Sequence, residues 1–356
     1  TSDGVTEHWP TPFHRSRPRI GCLNGELRDV IPTISGLDPE LKTWLLKLTD
    51  DSPPHEYFYH TPRSPSRKYL AVFGNMLGKN HVEIKLQDGQ VASTLDASPL
   101  EPTATIFSAD ETAILVAYKD GDHDRKLILW DVETGGRLRT LDAPQEENRS
   151  WEIRSMTLSP NKRYAAICVE SGYRTFIVDL ESGNYFEVSE RAGENYSDTP
   201  ALFSPDSRRV YIYSHKRTLW DIETHQKLVE FGYYNGAYNP IFSPNGRVLF
   251  VQSDDHGDNF WDTETGEPLH DFGRQGVRML RFNADGTRAV PMNLNAVASL
   301  WNFQTGEKIV DLESEESGDL KDFFFTPDGL KLITTHQNKL IVRDAVTGEQ
   351  LSVHVE

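Results

Sequence analysis

The chain has little that could staple or anchor it. Cysteine occurs twice in 356 residues, as Cys22 and Cys168, with no CxxC spacing. That excludes a disulfide framework and a cysteine zinc site, and the two thiols read as buried and reduced. No stretch approaches the roughly eighteen consecutive apolar residues that a helix needs to cross a bilayer. The first residues lack the basic and apolar regions of a signal peptide, so the expectation is a cytoplasmic protein without membrane insertion, a leader cleaved before Thr1 staying open. Positive charge is scarce, with 37 Lys and Arg against 54 Asp and Glu. The net charge of −17 repels phosphate backbones, so no nucleic-acid partner is expected. The motifs of local catalytic chemistry are also missing: there is no GxSxG elbow, HExxH, P-loop or GxGxxG.

What is present is repetition. The phrase Trp261-Asp262-Thr263-Glu264-Thr265-Gly266 returns at Trp130-Asp131 to Gly135, Trp220-Asp221 to His225 and Trp301-Asn302 to Gly306. Weaker copies stand at Ile84 to Gly89, Val178-Asp179 to Gly183 and Arg343-Asp344 to Gly348. The turn position therefore falls at 89, 135, 183, 225, 266, 306 and 348, seven times at intervals of 40 to 48 residues. That period suits propeller blades and exceeds the ankyrin and TPR periods of about 33 and 34. A second phrase precedes each, as in Phe203-Ser204-Pro205-Asp206, Phe242-Ser243-Pro244-Asn245-Gly246 and Phe325-Thr326-Pro327-Asp328-Gly329. Proline presets the first corner of a tight turn, and Asp or Asn with Gly accepts the left-handed second half. The alternating apolar runs around both phrases read as four strands per repeat; in the fifth they are expected near 237–242, 248–252, 259–262 and 268–271. Each such sheet hides its faces against its neighbours, and seven close into a ring.

With these phrases the chain resembles the WD40 family over residues 56–356. The resemblance implies an all-β, seven-bladed propeller of four-stranded antiparallel blades. The Gly-His dipeptide of many family members is missing from every repeat, and Trp-Asp is intact three times. Apolar sheet packing and turn chemistry, rather than a buried Ser/Thr-His-Asp-Trp network, are therefore expected to hold the blades. Residues 1–55 form a separate N-terminal extension. In it, Asp38-Pro39 reads as a helix start, with Leu37, Leu41, Trp44, Leu45 and Leu48 on one face that packs on the propeller. The last repeat is complete at 351–355, so the count does not require an N-terminal strand to close the ring. A strand near Arg19–Cys22 added to an edge, and an eight-bladed ring, stay open.

For partners, the resemblance points to the face made by the loops entering the first strand and those joining the second and third. Four residues before each Phe-Ser-Pro phenylalanine position lies a site expected at the channel mouth, and it holds Tyr59, Thr103, Arg154, Thr199, Tyr238, Arg278 and Lys321. Nearby loops add Trp151, Tyr196, Tyr233, Tyr234, Arg274, His215 and Lys216. Arg, Tyr and Trp are the side chains that most often anchor interfaces. The partner-binding set is taken as Tyr59, Trp151, Arg154, Tyr196, Tyr233, Tyr238, Arg274, Arg278 and Lys321. A protein or peptide, with an acidic or phosphorylated segment to suit the cations, is the expected partner; no cofactor and no metal are expected, and the oligomeric state is unassigned. Each such residue taken singly also fits a solvated loop.

Two loops carry clustered acids and a histidine, at 120–124 and 254–258. Both lack the spacing of a calcium loop and read as hairpin turns. The acids at 311, 313, 315, 316 and 319 read as a solvated face that could also dock a basic partner. The alternative function is an enzyme of hydrolase, lyase or isomerase type with a loop-built site at the channel mouth, for which Tyr59, His60, Arg154, Tyr238, His256 and Arg278 are the first candidates.

Overall fold

The computed structural model describes Pro39 and residues 63–355, except 77–78, 121–123, 145–152, 170–173, 189–200, 214–215, 234–239, 252–258, 272–276, 294, 296, 313–319 and 337–338. The N-terminal helix and strand expected above fall outside these residues, Pro39 excepted. From residue 63 on, every described regular element is a strand. Blade 1 comprises β1 (Tyr69–Met76), β2 (Lys79–Leu86) and β3 (Val91–Asp96); blade 2 β4 (Glu101–Phe107), β5 (Ala113–Asp120), β6 (Asp124–Asp131) and β7 (Arg137–Asp142). Blade 3 has β8 (Ile153–Leu158), β9 (Tyr164–Val169), β10 (Arg174–Asp179) and β11 (Tyr185–Glu187). Blade 4 has β12 (Ala201–Phe203), β13 (Arg209–Ile212), β14 (Lys216–Asp221) and β15 (Gln226–Tyr233). Blade 5 follows with β16 (Ile241–Phe242), β17 (Val248–Val251), β18 (Asn259–Asp262) and β19 (Pro268–Asp271). Blade 6 has β20 (Val277–Phe282), β21 (Arg288–Asn293), β22 (Ser299–Asn302) and β23 (Glu307–Asp311), and blade 7 β24 (Asp322–Phe325), β25 (Lys331–Thr335), β26 (Lys339–Asp344) and β27 (Gln350–Val355).

Blades 2 to 7 are antiparallel meanders of four strands, each paired with its sequence neighbour. Blade 1 shows three strands where four were expected; Arg63 bridges Leu70 on the side of β1 away from β2, and the residues just before Arg63 lie outside those described. Successive first strands come against each other, β4 on β8, β8 on β12 and β20 on β24, so the first strands are innermost and line the axis. The result is a seven-bladed, WD40-like propeller.

The core is a series of interfaces between consecutive blades. In β5, Ile114, Val116 and Tyr118 pack toward blade 1, while Ala113, Leu115 and Ala117 pack toward blade 3. A strand buried on both faces has no polar alternation, which explains the unbroken run AILVAY. Similar clusters join blades 3 and 4, 4 and 5, 5 and 6, and 6 and 7.

The turn phrases carry the polar structure. Ser204 Oγ, fully buried, accepts the Arg209 N–H at 2.9 Å and donates to Asp206 Oδ1 at 2.6 Å. Ser108 with Asp110, Ser159 with Asn161, Ser243 with Asn245 and Thr326 with Asp328 repeat the latch. Because the hydroxyl satisfies both a buried N–H and a carboxylate, Ser204→Ala is expected to cost about 1–3 kcal/mol, measured from denaturant midpoints. The residue after the Asp or Asn is left-handed in blades 2 to 7, for example Lys162 at φ 61° and Gly246 at 73°, and Arg67 after Ser66 takes the same conformation in blade 1. At two of the positions that are not Gly the side chain bonds the preceding blade: Lys162 Nζ reaches Asp110 Oδ2 of blade 2 at 2.7 Å, and Ser207 Oγ accepts the Asn161 N–H of blade 3 at 3.1 Å.

The acid of the Trp-Asp phrase caps the outer hairpin instead of entering a buried network. Asp262 Oδ1 accepts the Glu264 and Thr265 N–H groups, each at 2.8 Å, and Asp344 takes those of Val346 and Thr347 at the same distance. The indole N–H of Trp220 and of Trp301 goes to the hydroxyl two residues earlier, Thr218 at 2.9 Å and Ser299 at 2.8 Å. These bonds hold many carboxyls below their ordinary range. At Asp131 and Asp344 the bonds from Thr134 and Thr347 do so directly; at Asp110 burial pulls upward but is outweighed by Lys162, Ser108 and Thr112. Folded values below unfolded ones give stability that is present above the unfolded carboxylate range near pH 4 and lost as pH falls through the folded values. Denaturant midpoints should thus fall progressively from pH 5 to pH 3; a flat profile would count against these bonds.

Candidate functional site

The inner strands place the channel-mouth positions at one repeated irregularity. In β4, Pro102 pairs with Tyr118 and Ala104 with Ala117, leaving Thr103 as an extra residue. In β8, Ile153 pairs with Val169 and Ser155 with Cys168, leaving Arg154. In β20, Val277 pairs with Asn293 and Met279 with Met292, leaving Arg278. In blade 7 the Lys321 N–H donates to the Thr335 carbonyl at 2.8 Å, although Thr335 is already the partner of Asp322. A β-bulge therefore sits four residues before the turn in blades 2, 3 and 6, and blade 7 doubles its partner at the same place. Bulges bend a strand and re-aim the extra side chain, and they gather at rims and binding sites.

Of the residues singled out in the sequence, Lys321 lies just ahead of β24 and is exposed, and Thr103 is exposed with its hydroxyl donating to the Ala117 carbonyl at 3.2 Å. The backbones of Arg154, Arg278 and Tyr233 lie in β8, β20 and β15. Tyr59, Trp151, Tyr196, Tyr238 and Arg274 lie outside the described residues, as do the loop 254–258, His60 and the acids 313–319. What the inner strands bring together is therefore Thr103, Arg154, Arg278 and Lys321, at one level of the ring.

Beside Lys321 lies a pair that the sequence reading missed. Asp322 is 2 % exposed and receives Arg281 Nη2 of blade 6 at 3.1 Å and the Phe323 N–H at 2.8 Å, while its carbonyl accepts Thr335 Oγ1 at 3.1 Å. The Arg281 guanidinium stacks 4.5 Å from the centre of the Phe324 ring. Burial raises the Asp322 carboxyl; Arg281 and the Phe323 N–H oppose it. Just past the end of β25, His336 is buried with Nε2 3.2 Å from Thr334 Oγ1. A signal for the pair does exist in the repeats. Arg281 stands where blades 2 and 5 place Ile106 and Ile241, and Asp322 where they place Ala104 and Asn239, so an apolar-to-Arg exchange in one repeat is answered by a carboxylate in the next.

The bulged register is held in place by ladder hydrogen bonds, and beside it a cross-blade ion pair joins blades 6 and 7. Among the described residues no group of three or more His, Cys, Asp or Glu side chains is placed to hold a metal ion, and no helix is long and apolar enough to cross a membrane. Cys168, in β9, is partly exposed, where a buried thiol was expected.

No family model and no curated protein matches the chain. Among solved structures it is similar to the computationally designed Ika8 protein, with 20 % identity over 81 % of this chain and 84 % of that one and a TM-score of 0.41. It is similar to the dihydro-heme d1 dehydrogenase NirN in complex with DHE, with 16 % identity, 85 % and 67 % coverage and a TM-score of 0.45. The C-terminal WD40 domain of Sif2 follows with 14 % identity, 78 % coverage of each chain and a TM-score of 0.40. The propeller assignment rests on the chain's own seven sheets.

Proposed function

We propose that the protein is a non-catalytic interaction platform that binds a protein or peptide segment across the channel mouth, with the bulged inner-strand positions as its anchors. WD40-like propellers commonly mediate protein interactions, and the observation that supports this use here is the bulge at Thr103, Arg154 and Arg278, one register position in three separate blades. A bulge weakens the ladder, so its repetition where the ring carries cations favours a role in presenting side chains over a role in holding the sheet. The partner is an acidic or phosphorylated segment. Arg154 and Arg278 offer planar forks that suit carboxylate and phosphate oxygens, Lys321 adds a point charge, and Tyr59, Trp151, Tyr196, Tyr233, Tyr238 and Arg274 supply area around them.

The test is binding to a peptide panel in which each sequence occurs in neutral, acidic and phosphoserine forms. Acidic or phosphorylated members should bind, weaken with added salt, and lose at least about 30-fold in affinity when Arg154, Arg278 and Lys321 are changed together to Ala, about 2 kcal/mol. Equal binding of neutral and charged forms, or a triple variant that binds as well as the parent, would reject the reading.

A further inference from the structure

Blade 7 carries an apolar stripe that the other blades do not. Ten large hydrophobic side chains are exposed among the described residues, and five of them, Leu330, Val346, Leu351, Val353 and Val355, belong to this blade. At the place of Leu330, blades 3, 4 and 5 have Arg163, Arg208 and Arg247; at the place of Val346, blades 2 to 5 have Glu133, Glu181, Glu223 and Glu264. Val353 replaces Thr140, Glu230 and Asp311, and Val355 replaces Asp96 and Asp142. Leu351, Val353 and Val355 are 52 %, 42 % and 55 % exposed and alternate along β27 with the less exposed Ser352 and His354. Among the described strands β27 pairs with β26 alone, on its inner side. A long apolar edge is a pairing and aggregation hazard that proteins normally cover or charge; polar or charged residues of other blades give way to valine at 346, 353 and 355, while the place of Leu351 is apolar elsewhere too, as Leu138, Leu228 and Leu269.

The geometry of the other blades indicates what lies beside it. Every connection from the outer strand of one blade to the inner strand of the next has between four residues, 97–100, and thirteen, 188–200, and the inner strands have two to seven residues. Arg63 holds the last position of the inner strand of blade 1, as Phe107 does in blade 2. Counting back from Arg63 by those lengths puts a residue between 43 and 57 beside the Val355 end of β27. The amphipathic run of the extension, Leu37, Leu41, Trp44, Leu45 and Leu48, overlaps the start of that range, and its apolar side needs an apolar surface to bury against.

We propose that the segment Leu37–Leu48 of this chain docks with its apolar side on the outer strand of blade 7, over Leu351, Val353 and Val355, and so fastens the last blade to the chain that enters the first. The stripe is then an intramolecular seam between the extension and the ring.

Hydrogen–deuterium exchange on the intact 356-residue chain tests this with two reciprocal variants. Val353→Lys with Val355→Lys changes only exposed side chains, so blades 3 to 5 should keep their protection while amides of 37–48 exchange at least tenfold faster. Trp44→Ala with Leu48→Ala leaves β27 intact in sequence and should speed exchange at 350–355. Unchanged exchange of 37–48 in the lysine variant overturns the proposal. So does a sedimentation experiment in which the parent is a dimer, the lysine variant a monomer, and exchange of 37–48 the same in both, because the stripe would then belong to a second copy.

Discussion

Asp322→Ala is expected to remove about 3–5 kcal/mol of stability, the cost of leaving a buried charge without its partner. Arg281 has 11 % of its side chain exposed, so without Asp322 its guanidinium keeps, among the described residues, the Phe324 ring in a site with little water. The Phe323 N–H loses its acceptor as well. Replacing both partners by apolar groups, Arg281→Met with Asp322→Leu, should recover most of the loss, because the pair's attraction is largely offset by the desolvation of two charges. Denaturant midpoints of the parent, the single and the double variant decide this. A single variant within about 1 kcal/mol of the parent would mean that the pair is solvated and does not join blades 6 and 7.

Phe260→Ala should be of the same size, about 3–5 kcal/mol, for a different reason. Phe260 in β18 is fully buried, with its ring 4.9 Å from that of Phe250 on the neighbouring strand and 4.7 Å from that of Phe303 in blade 6. Truncation removes the apolar transfer energy and leaves a void between two sheets whose backbones are fixed by their own ladders, so the surroundings collapse little. Leu138→Ala is the control, since Leu138 is 51 % exposed on an outer strand, and a change there should stay within about 0.5 kcal/mol. A Phe260→Ala loss no greater than that of the control would contradict the inter-blade core.

Much of the fold was legible because each repeat writes its own turns. The Ser-Pro-Asp and Asp-Thr-Glu-Thr-Gly phrases mark corners whose side chains bond their own backbone, and a signal that depends on near neighbours survives in a single sequence. Of the strands expected in blade 5, β18 and β19 have the expected bounds, β17 runs over Val248–Val251 and β16 over Ile241–Phe242, while 237–239 and 252 lie outside the described residues. The bulges were not legible. An extra residue in a strand leaves the apolar pattern almost unchanged, and its existence depends on the register of the partner strand, which no local signal carries. The Arg281–Asp322 pair was missed because its two members are 41 residues apart and meet only when consecutive inner strands converge. The apolar stripe on β27 reads in sequence as an ordinary alternating strand, and stands out only once the outer strands are aligned blade by blade and their exposure is compared.

The most direct test of the central claim is a hydrogen–deuterium exchange footprint of the intact chain with and without a saturating acidic or phosphorylated peptide from the binding panel. The account predicts slowed exchange at the starts of the inner strands, around 102–104, 153–155, 277–279 and 320–322, with no change at the Ser-Pro turns on the opposite face, 204–208 and 243–247. Protection confined to those turns, or to the outer strands, would contradict it and move the binding surface away from the channel mouth.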